Sequence, residues 1–312
     1  MGRYVTRRLI LLIPIVLGVA TLSFFLMKIA PGDPAASYLG DKATPEAVEQ
    51  LRQAWGLDKP VLIQYFEFLG NLVIGDLGLS FVFQVPVVEL LRIRLPATLM
   101  LMLVAIVFSV LISVPIALWV SVSKSSIAGL IARIFTATVQ GMPTFFTGSL
   151  LILFIALKTG LFPVGGYGDT LEEQLHALVL PGLAVALTIC PILIRSLTAA
   201  LNDSLSAEYM NFALSKGLGR RKTITHYAFR NAGITGVSIL GIQIGHLVGG
   251  ALVIENVFAI PGVGSLLMQS VLGRDYPVVQ ALTVVFGVLV VLVYLFTDIV
   301  YSAVDPRVRL GK

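Results

Sequence analysis

The stretch 207–232 reads A-E-Y-M-N-F-A-L-S-K-G-L-G-R-R-K-T-I-T-H-Y-A-F-R-N-A, and the reading of the whole chain turns on it. One apolar run ends just before it and another begins just after it, so it is the longest basic, water-loving interval in the second half of the sequence. A turn between two membrane spans needs few residues. This one is long and patterned. Residues 208–216 supply about two turns of helix, and Gly217 can close that helix in a left-handed cap. His226 and Arg230 stand four apart and so share a helix face, and Asn231 leads into the next apolar run. Charge bias alone would produce a solvated basic loop. A capped helix followed by a second patterned helix is more than charge bias requires, and it implies a contact with something other than lipid.

The surroundings of the stretch are apolar. Of 312 residues, 57% are hydrophobic and 12% charged, with a mean hydropathy of +0.93, whereas a soluble chain carries about 25% charged residues. Several runs approach the ~20 apolar residues that cross a hydrocarbon core as helix. They are continuous rather than alternating, which excludes a barrel. The net charge of +5 sits mostly in short loops, so it sets orientation in the membrane rather than attraction to nucleic acid. The single cysteine, Cys190, forbids an intrachain disulfide.

These features predict an all-α polytopic membrane protein with six transmembrane helices. Residues 1–29 hold a basic N-terminus (Arg3, Arg7, Arg8) and an uncleaved first span, because the apolar part is too long for a signal peptide and no small-residue cleavage site follows. Residues 30–95 are polar and mixed and read as a small external subdomain. Within it, Thr44-Pro45-Glu46 starts a short helix running to about Trp55, and 61–73 has the pattern of a second, amphipathic helix. Residues 96–304 form the core with five further spans, at 96–120, 127–157, 176–199, 233–254 and 278–304, and a long inner loop at 200–232. Residues 305–312 are the tail. Gly141-Met142-Pro143 interrupts the third span, since proline removes a donor and clashes with the preceding turn. Such a break must face protein or a water-filled cavity. Most of the 22 basic residues then fall on one side, including Lys124, Arg133, Arg195, Lys216, Arg220, Arg221, Lys222, Arg230 and Arg307. The positive-inside rule places that side, with both termini, in the cytoplasm.

No HExxH, CxxC or GxSxG motif is present, and His176, His226 and His246 lie in separate segments, so no catalytic or metal site is legible. Gly217-Leu218-Gly219-Arg220-Arg221-Lys222-Thr223 fails as a phosphate loop, because the pattern demands glycine where Lys222 stands. Any ATP must therefore bind another subunit. In the fifth span Gly241, Gly245 and Gly249 recur every four residues and allow close helix approach, with Gln243 and His246 on the opposite face. Those two either line a polar route or hydrogen-bond a neighbouring helix. Gln140, beside the break, is a similar candidate. Glu255 with Asn256-Val257-Phe258, ahead of Pro261-Gly262, marks a gate or a capped turn. Asp298 is either a proton-relay acid or half of an ion pair.

The residues also carry a resemblance that runs nearly end to end. The chain resembles the inner-membrane permease subunits of binding-protein-dependent ABC importers, in the dipeptide, oligopeptide and nickel group. The motifs are Gly32-Asp33-Pro34, Leu57-Asp58-Lys59-Pro60, Gly75-Asp76-Leu77-Gly78 with Ser80, and Leu95-Pro96-Ala97-Thr98-Leu99. The second half adds Lys216-Gly217-Leu218, His226 with Arg230-Asn231-Ala232, Glu255 with Phe258, Arg274-Asp275-Tyr276-Pro277 and Asp305-Pro306-Arg307. The resemblance implies a type I importer fold and a non-enzymatic transport subunit of a bacterial inner membrane, without a cofactor or metal of its own.

It further implies a second homologous permease, two cytoplasmic ATP-binding subunits carrying ATP and Mg, and an extracytoplasmic substrate-binding protein. The coupling helix is expected at 208–217, with Glu208, Ala213, Lys216, Gly217, Arg220, His226 and Arg230 as ATPase-coupling residues. Gln140, Met142, Pro143, Gln243, His246 and Glu255 are the translocation-pathway candidates. The expected cargo is a peptide or related small solute. A nickel chelate or glutathione is the alternative within the class, because the outer loop at 158–175 is short, and a proton-driven carrier is the alternative outside it. One departure stands out: the family usually has proline shortly after Arg-Asn-Ala, where this chain has Gly233-Ile234-Thr235.

Overall fold

The computed structural model describes residues 2–29, 32–123 and 125–304. Among them the regular structure is helical. In chain order the helices are α1 (Gly2–Ile29), α2 (Pro34–Leu39), α3 (Pro45–Ala54), α4 (Val61–Val73), α5 (Val87–Ser123), α6 (Ser126–Gln140), α7 (Thr144–Leu151), α8 (Leu157–Thr159), α9 (Leu171–Ala177), α10 (Val179–Ser206), α11 (Glu208–Ser215), α12 (Arg220–Thr223), α13 (Phe229–Val257), α14 (Val263–Leu272) and α15 (Tyr276–Val304). π-turns at Ile152–Ala156 and Ile224–Ala228 join α7 to α8 and α12 to α13. The tail 305–312, with Asp305-Pro306-Arg307, and the side chains of Arg3, Arg7, Arg8, His246 and Asp298 lie outside the described residues.

Among the described residues four helices are long and apolar enough to cross a membrane, and the number reaches six if each of two bent pairs counts as one span. The break expected at Gly141-Met142-Pro143 is present. α6 stops at Gln140, α7 starts at Thr144, and the two directions differ by 104°. The physical cause is Pro143, which takes the place before the first helical residue of α7 with an extended backbone. The second span is longer than hydropathy indicates. α5 begins at Val87, because Leu90 and Leu91 are buried in the core rather than left in a loop.

The chain divides into two compact units, 1–98 with 261–291 and 99–260 with 292–312. In the first, Val87, Leu90, Leu91, Val263, Leu266, Val278, Ala281 and Leu282 form a buried apolar cluster. Local signals set the short helices. Asp33 caps α2 by accepting from Ala35 N at 3.0 Å, and Thr44 caps α3 by accepting from Ala47 N at 3.2 Å. Each is followed by proline at the first helical position, where its missing donor costs nothing.

Motifs far apart in sequence meet in this unit. The carboxylate of Asp275, fully buried, accepts from Phe81 N at 3.0 Å, from Val82 N at 3.2 Å and from Ser80 Oγ. The turn that begins at Ser80 is thereby tied to the start of α15 across 195 residues. The Arg274 guanidinium lies so close over Gly32 that a Cβ there would overlap it.

In the second unit α10 carries the core. Ile189, Leu193, Ile194, Leu197 and Leu201 are at most 4% exposed, and α10 packs on α6, α7 and, most extensively, α13. The loop at 158–175 is ordered by a capping box. Thr170 Oγ1 accepts from Glu173 N at 3.3 Å, and Glu173 accepts from Thr170 N at 3.1 Å and Asp169 N at 2.9 Å. Those backbone donors, Thr170 foremost, hold the Glu173 carboxyl below the usual carboxylate range.

Candidate functional site

The polar stretch between α10 and α13 folds as its pattern predicts and also presents a surface that pattern did not reveal. α11 ends in a left-handed residue, Gly217, with φ of +83°. Leu218 N reaches back to Ala213 O at 3.2 Å, and this six-to-one bond closes the helix in a Schellman motif. The site around Gly217 is otherwise open, with no atom within 4 Å of a Cβ built there. Glycine is therefore required by the backbone conformation and not by crowding.

α11 is two-sided. Met210 and Ala213 are 4% and 6% exposed and anchor the helix to its own unit. Ala213 thus supports the helix and offers no surface of its own. On the adjoining face Tyr209 is 40% and Phe212 61% exposed, and Lys216 stands 4.6 Å over the Phe212 ring. Residues 209, 212 and 216 follow the helical repeat, so they form one stripe. Glu208, Lys216, Arg220, His226 and Arg230 are all exposed, and His226 meets Tyr227 edge-on at 5.7 Å. The result is an aromatic stripe in a basic surround. The charges of this surface are legible in the sequence, whereas the exposure of Tyr209 and Phe212 is not. Their signal was spacing, since Phe212 lies one helical turn before Lys216.

Behind the stripe, Asn231 Nδ2 donates to Ser204 Oγ and to the Tyr209 hydroxyl, both at 3.4 Å, joining the ends of α10, α11 and α13. A cavity of about 340 Å³ opens beside them, lined by Asp203, Ser204, Tyr209, Asn231 and Thr235. Residues 233–235, where the resemblance leads one to expect proline, continue α13 as helix. The irregularities fall on either side of them, in the π-turn Ile224–Ala228 and in a 61° bend between Gly245 and Gly249.

The other candidates do not converge on one point. Gln140, exposed beside the break, accepts from Arg195 Nη1 at 2.7 Å. In the sequence Arg195 counts only as one of the basic residues on the cytoplasmic side, within the span expected at 176–199. Met142 is half-buried and Pro143 exposed at the same break. Gln243 is half-buried within α13, and the side chain of its neighbour His246 lies outside the described residues. Glu255 is fully buried at the far end of α13. There Ile260 N donates to Glu255 O at 2.8 Å, and Phe258 O accepts from Gly166 N at 2.8 Å. That end is a packed helix terminus.

The glycine stripe is real for two of its three members. A Cβ on Gly241 would overlap Thr297, and one on Gly245 would lie 2.7 Å from the Tyr294 hydroxyl oxygen, whereas Gly249 meets nothing within 4 Å. Among the described residues no group of histidine, cysteine, aspartate or glutamate could hold a metal.

Comparison with known proteins places this architecture. The chain is 37% identical over 318 residues to the oligopeptide transport system permease protein AppB of Bacillus subtilis (strain 168), covering 99% of this chain and all of that one. It is 34% identical over 309 residues to the glutathione transport system permease protein GsiC of Escherichia coli O6:H1, covering 99% of each. Among solved structures, the inward-facing MetNI methionine ABC transporter shares the fold, with a TM-score of 0.56 at 20% identity over 70% of this chain and 97% of that one. Residues 1–102 match the N-terminal family of binding-protein-dependent transport system membrane components. Residues 113–310 match the family described as "Binding-protein-dependent transport system inner membrane component", so the chain belongs to that family and is a multi-pass transmembrane permease subunit.

Proposed function

We propose that this permease forms half of the translocation pathway of an ATP-driven importer for short peptides or a related small solute, and that α11 is the helix through which ATP hydrolysis in partner subunits reaches it. The peptide assignment follows the named relatives: the same full-length similarity joins the chain to an oligopeptide permease and to a glutathione permease, and glutathione is itself a short peptide. The relatives named above are an oligopeptide and a glutathione permease, which favours a short peptide over a nickel chelate. The carrier alternative needed Asp298 as a relay, and membership of a binding-protein-dependent family supports the importer instead.

In this reading both termini and α11 are cytoplasmic, as the basic residues require. A second permease completes the pore, two ATP-binding subunits with ATP and Mg sit beneath, and a binding protein delivers cargo from outside. This chain makes and breaks no covalent bond. Gln140, Met142, Pro143, Gln243, His246 and Glu255 are its pathway candidates, with Arg195 added as the partner of Gln140.

The observation that carries the docking role is the exposed stripe Tyr209, Phe212 and Lys216 on a helix that Met210 and Ala213 anchor. Exposed aromatics amid charge are what a protein partner buries, and an aromatic anchor of this kind is worth about 2 kcal/mol or more when truncated. The double variant Phe212→Asp, Lys216→Glu is expected to lose co-purifying ATP-binding subunits and to cut transport at least about ten-fold, one decade being about 1.4 kcal/mol. The chain itself should still insert and stay folded, because neither side chain is buried. Co-purification and transport at wild-type level would refute the docking role.

A further inference from the structure

α4 is an apolar helix that belongs to no span, and one of its faces is left uncovered. Leu62, Phe66 and Val73 are 65%, 67% and 83% exposed, and with Leu69 they repeat at the spacing of a single helical stripe. A different stripe, Gln64, Glu67 and Asn71, is polar and faces a cavity of about 340 Å³ that Lys28 and Gln280 also line. Glu67 holds Lys59 at 2.6 Å. The helix is therefore apolar on one side and polar on the other, the pattern of a segment that lies along a membrane surface.

Contacts with α1 set the level at which α4 sits. The Tyr65 hydroxyl hydrogen-bonds Thr21 Oγ1 at 2.8 Å. Phe24 meets Tyr65 at 5.4 Å and Phe68 at 5.8 Å between ring centres, and Lys28 Nζ donates to Gln64 Oε1. The apolar window of the first span is Leu12–Ile29. Thr21 lies about 12 Å and Phe24 about 7 Å inside the end of that window, at 1.5 Å per residue. A helix whose middle touches these residues lies at the boundary between headgroups and acyl chains, not above the membrane. The lipid-facing surface of α1 also runs into it. Leu22, Leu26 and Ile29 are 65%, 64% and 77% exposed, and Phe25, next to them, packs on Tyr65 at 5.5 Å.

We propose that α4 is an interfacial helix, seated in the leaflet where α1 ends, with Leu62, Phe66, Leu69 and Val73 among the acyl chains and Gln64, Glu67 and Asn71 turned toward the polar cavity. Membrane lipid is the occupant because the uncovered face lies at the depth of the span and continues its lipid-facing surface. Lys28 at the end of α1, within cation–π distance of Phe24 (5.8 Å) and Tyr276 (5.7 Å), supplies the basic and aromatic anchor found at such boundaries.

Site-directed fluorescence in proteoliposomes tests this on the full-length chain assembled with its partner subunits. In a Cys190→Ala background, Phe66→Cys and Asn71→Cys are each labelled with bimane and reconstituted into phosphatidylcholine, with or without brominated acyl chains. The probe at position 66 is expected to emit at shorter wavelength, to lose most of its intensity to bromolipid and to resist aqueous iodide. The probe at 71 should behave in the opposite way. Leu62→Cys repeats the measurement should Phe66→Cys fail to assemble. Equal iodide quenching at both positions without bromolipid quenching would overturn the proposal. Shielding at 66 that appears only when the substrate-binding protein is added would also overturn it, by making a protein the occupant.

Discussion

Gly241→Leu is expected to push α13 and α15 apart and to abolish a stable second unit in detergent. A Cβ at this position already overlaps the Thr297 side chain, before the rest of the leucine is added. Overpacking a filled interior costs about 1–3 kcal/mol and more where backbone must move. Helices in lipid cannot recover that loss through a hydrophobic driving force, because lipid tails are as apolar as the leucine. Thermal unfolding followed in detergent, together with the yield of folded protein, reads the effect.

Two comparisons make the result specific. Gly249→Ala should be nearly silent, since nothing lies within 4 Å of its Cβ. Thr297→Gly combined with Gly241→Ala should recover part of what Gly241→Ala alone loses, as contacting residues couple in a double-mutant cycle. Equal damage at Gly241 and Gly249, or no recovery, would remove close packing as the reason for the stripe.

Asp275→Ala should be the most damaging change in the first unit. It removes the acceptor for Phe81 N, Val82 N and Ser80 Oγ together. Each donor left without a partner costs about 1–3 kcal/mol, so the sum is a large part of the 5–15 kcal/mol or so that holds a typical domain. The expected readout is a fall in Tm and faster proteolysis near the turn at Ser80. Asp275→Asn keeps an acceptor oxygen and should lose less. Ser80→Ala should lose less again, because the two backbone bonds survive. An unchanged Tm for Asp275→Ala would show that the tie carries no stability.

These two sites also show what a sequence can and cannot display. The glycine repeat at 241, 245 and 249 was visible as periodicity, and periodicity implies a helix face. It could not say which glycines are in contact, because that depends on where Thr297 and Tyr294 fall on another helix. Ser80 and Asp275 were visible as members of motifs, yet nothing in their local context pairs residues so far apart. The aromatic stripe of α11 was missed for a related reason. Tyr209 and Phe212 in an apolar protein look like core, and only the fold shows that Met210 and Ala213 are the residues of α11 that are buried while these two stay exposed.

The sequence by itself determined that the chain is an all-α membrane protein, where its third span breaks, how α3, α4 and α11 begin and end, and which family it resembles. Those properties follow from hydropathy, proline and glycine geometry and side-chain caps, all of which act within a few residues. Only the tertiary structure decided that the start of α5 belongs to a core, that Asp275 holds the turn at Ser80, that Gln140 meets Arg195, and that α4 lies beside the first span at the depth of Thr21 and Phe24. These are contacts between segments far apart in the chain. They depend on which helix faces meet, and no local rule fixes that. For the stretch 207–232 the two sources divide the same way: its capped helix follows from the order of its residues, and the face it offers to a partner follows from which of its residues the rest of the unit buries.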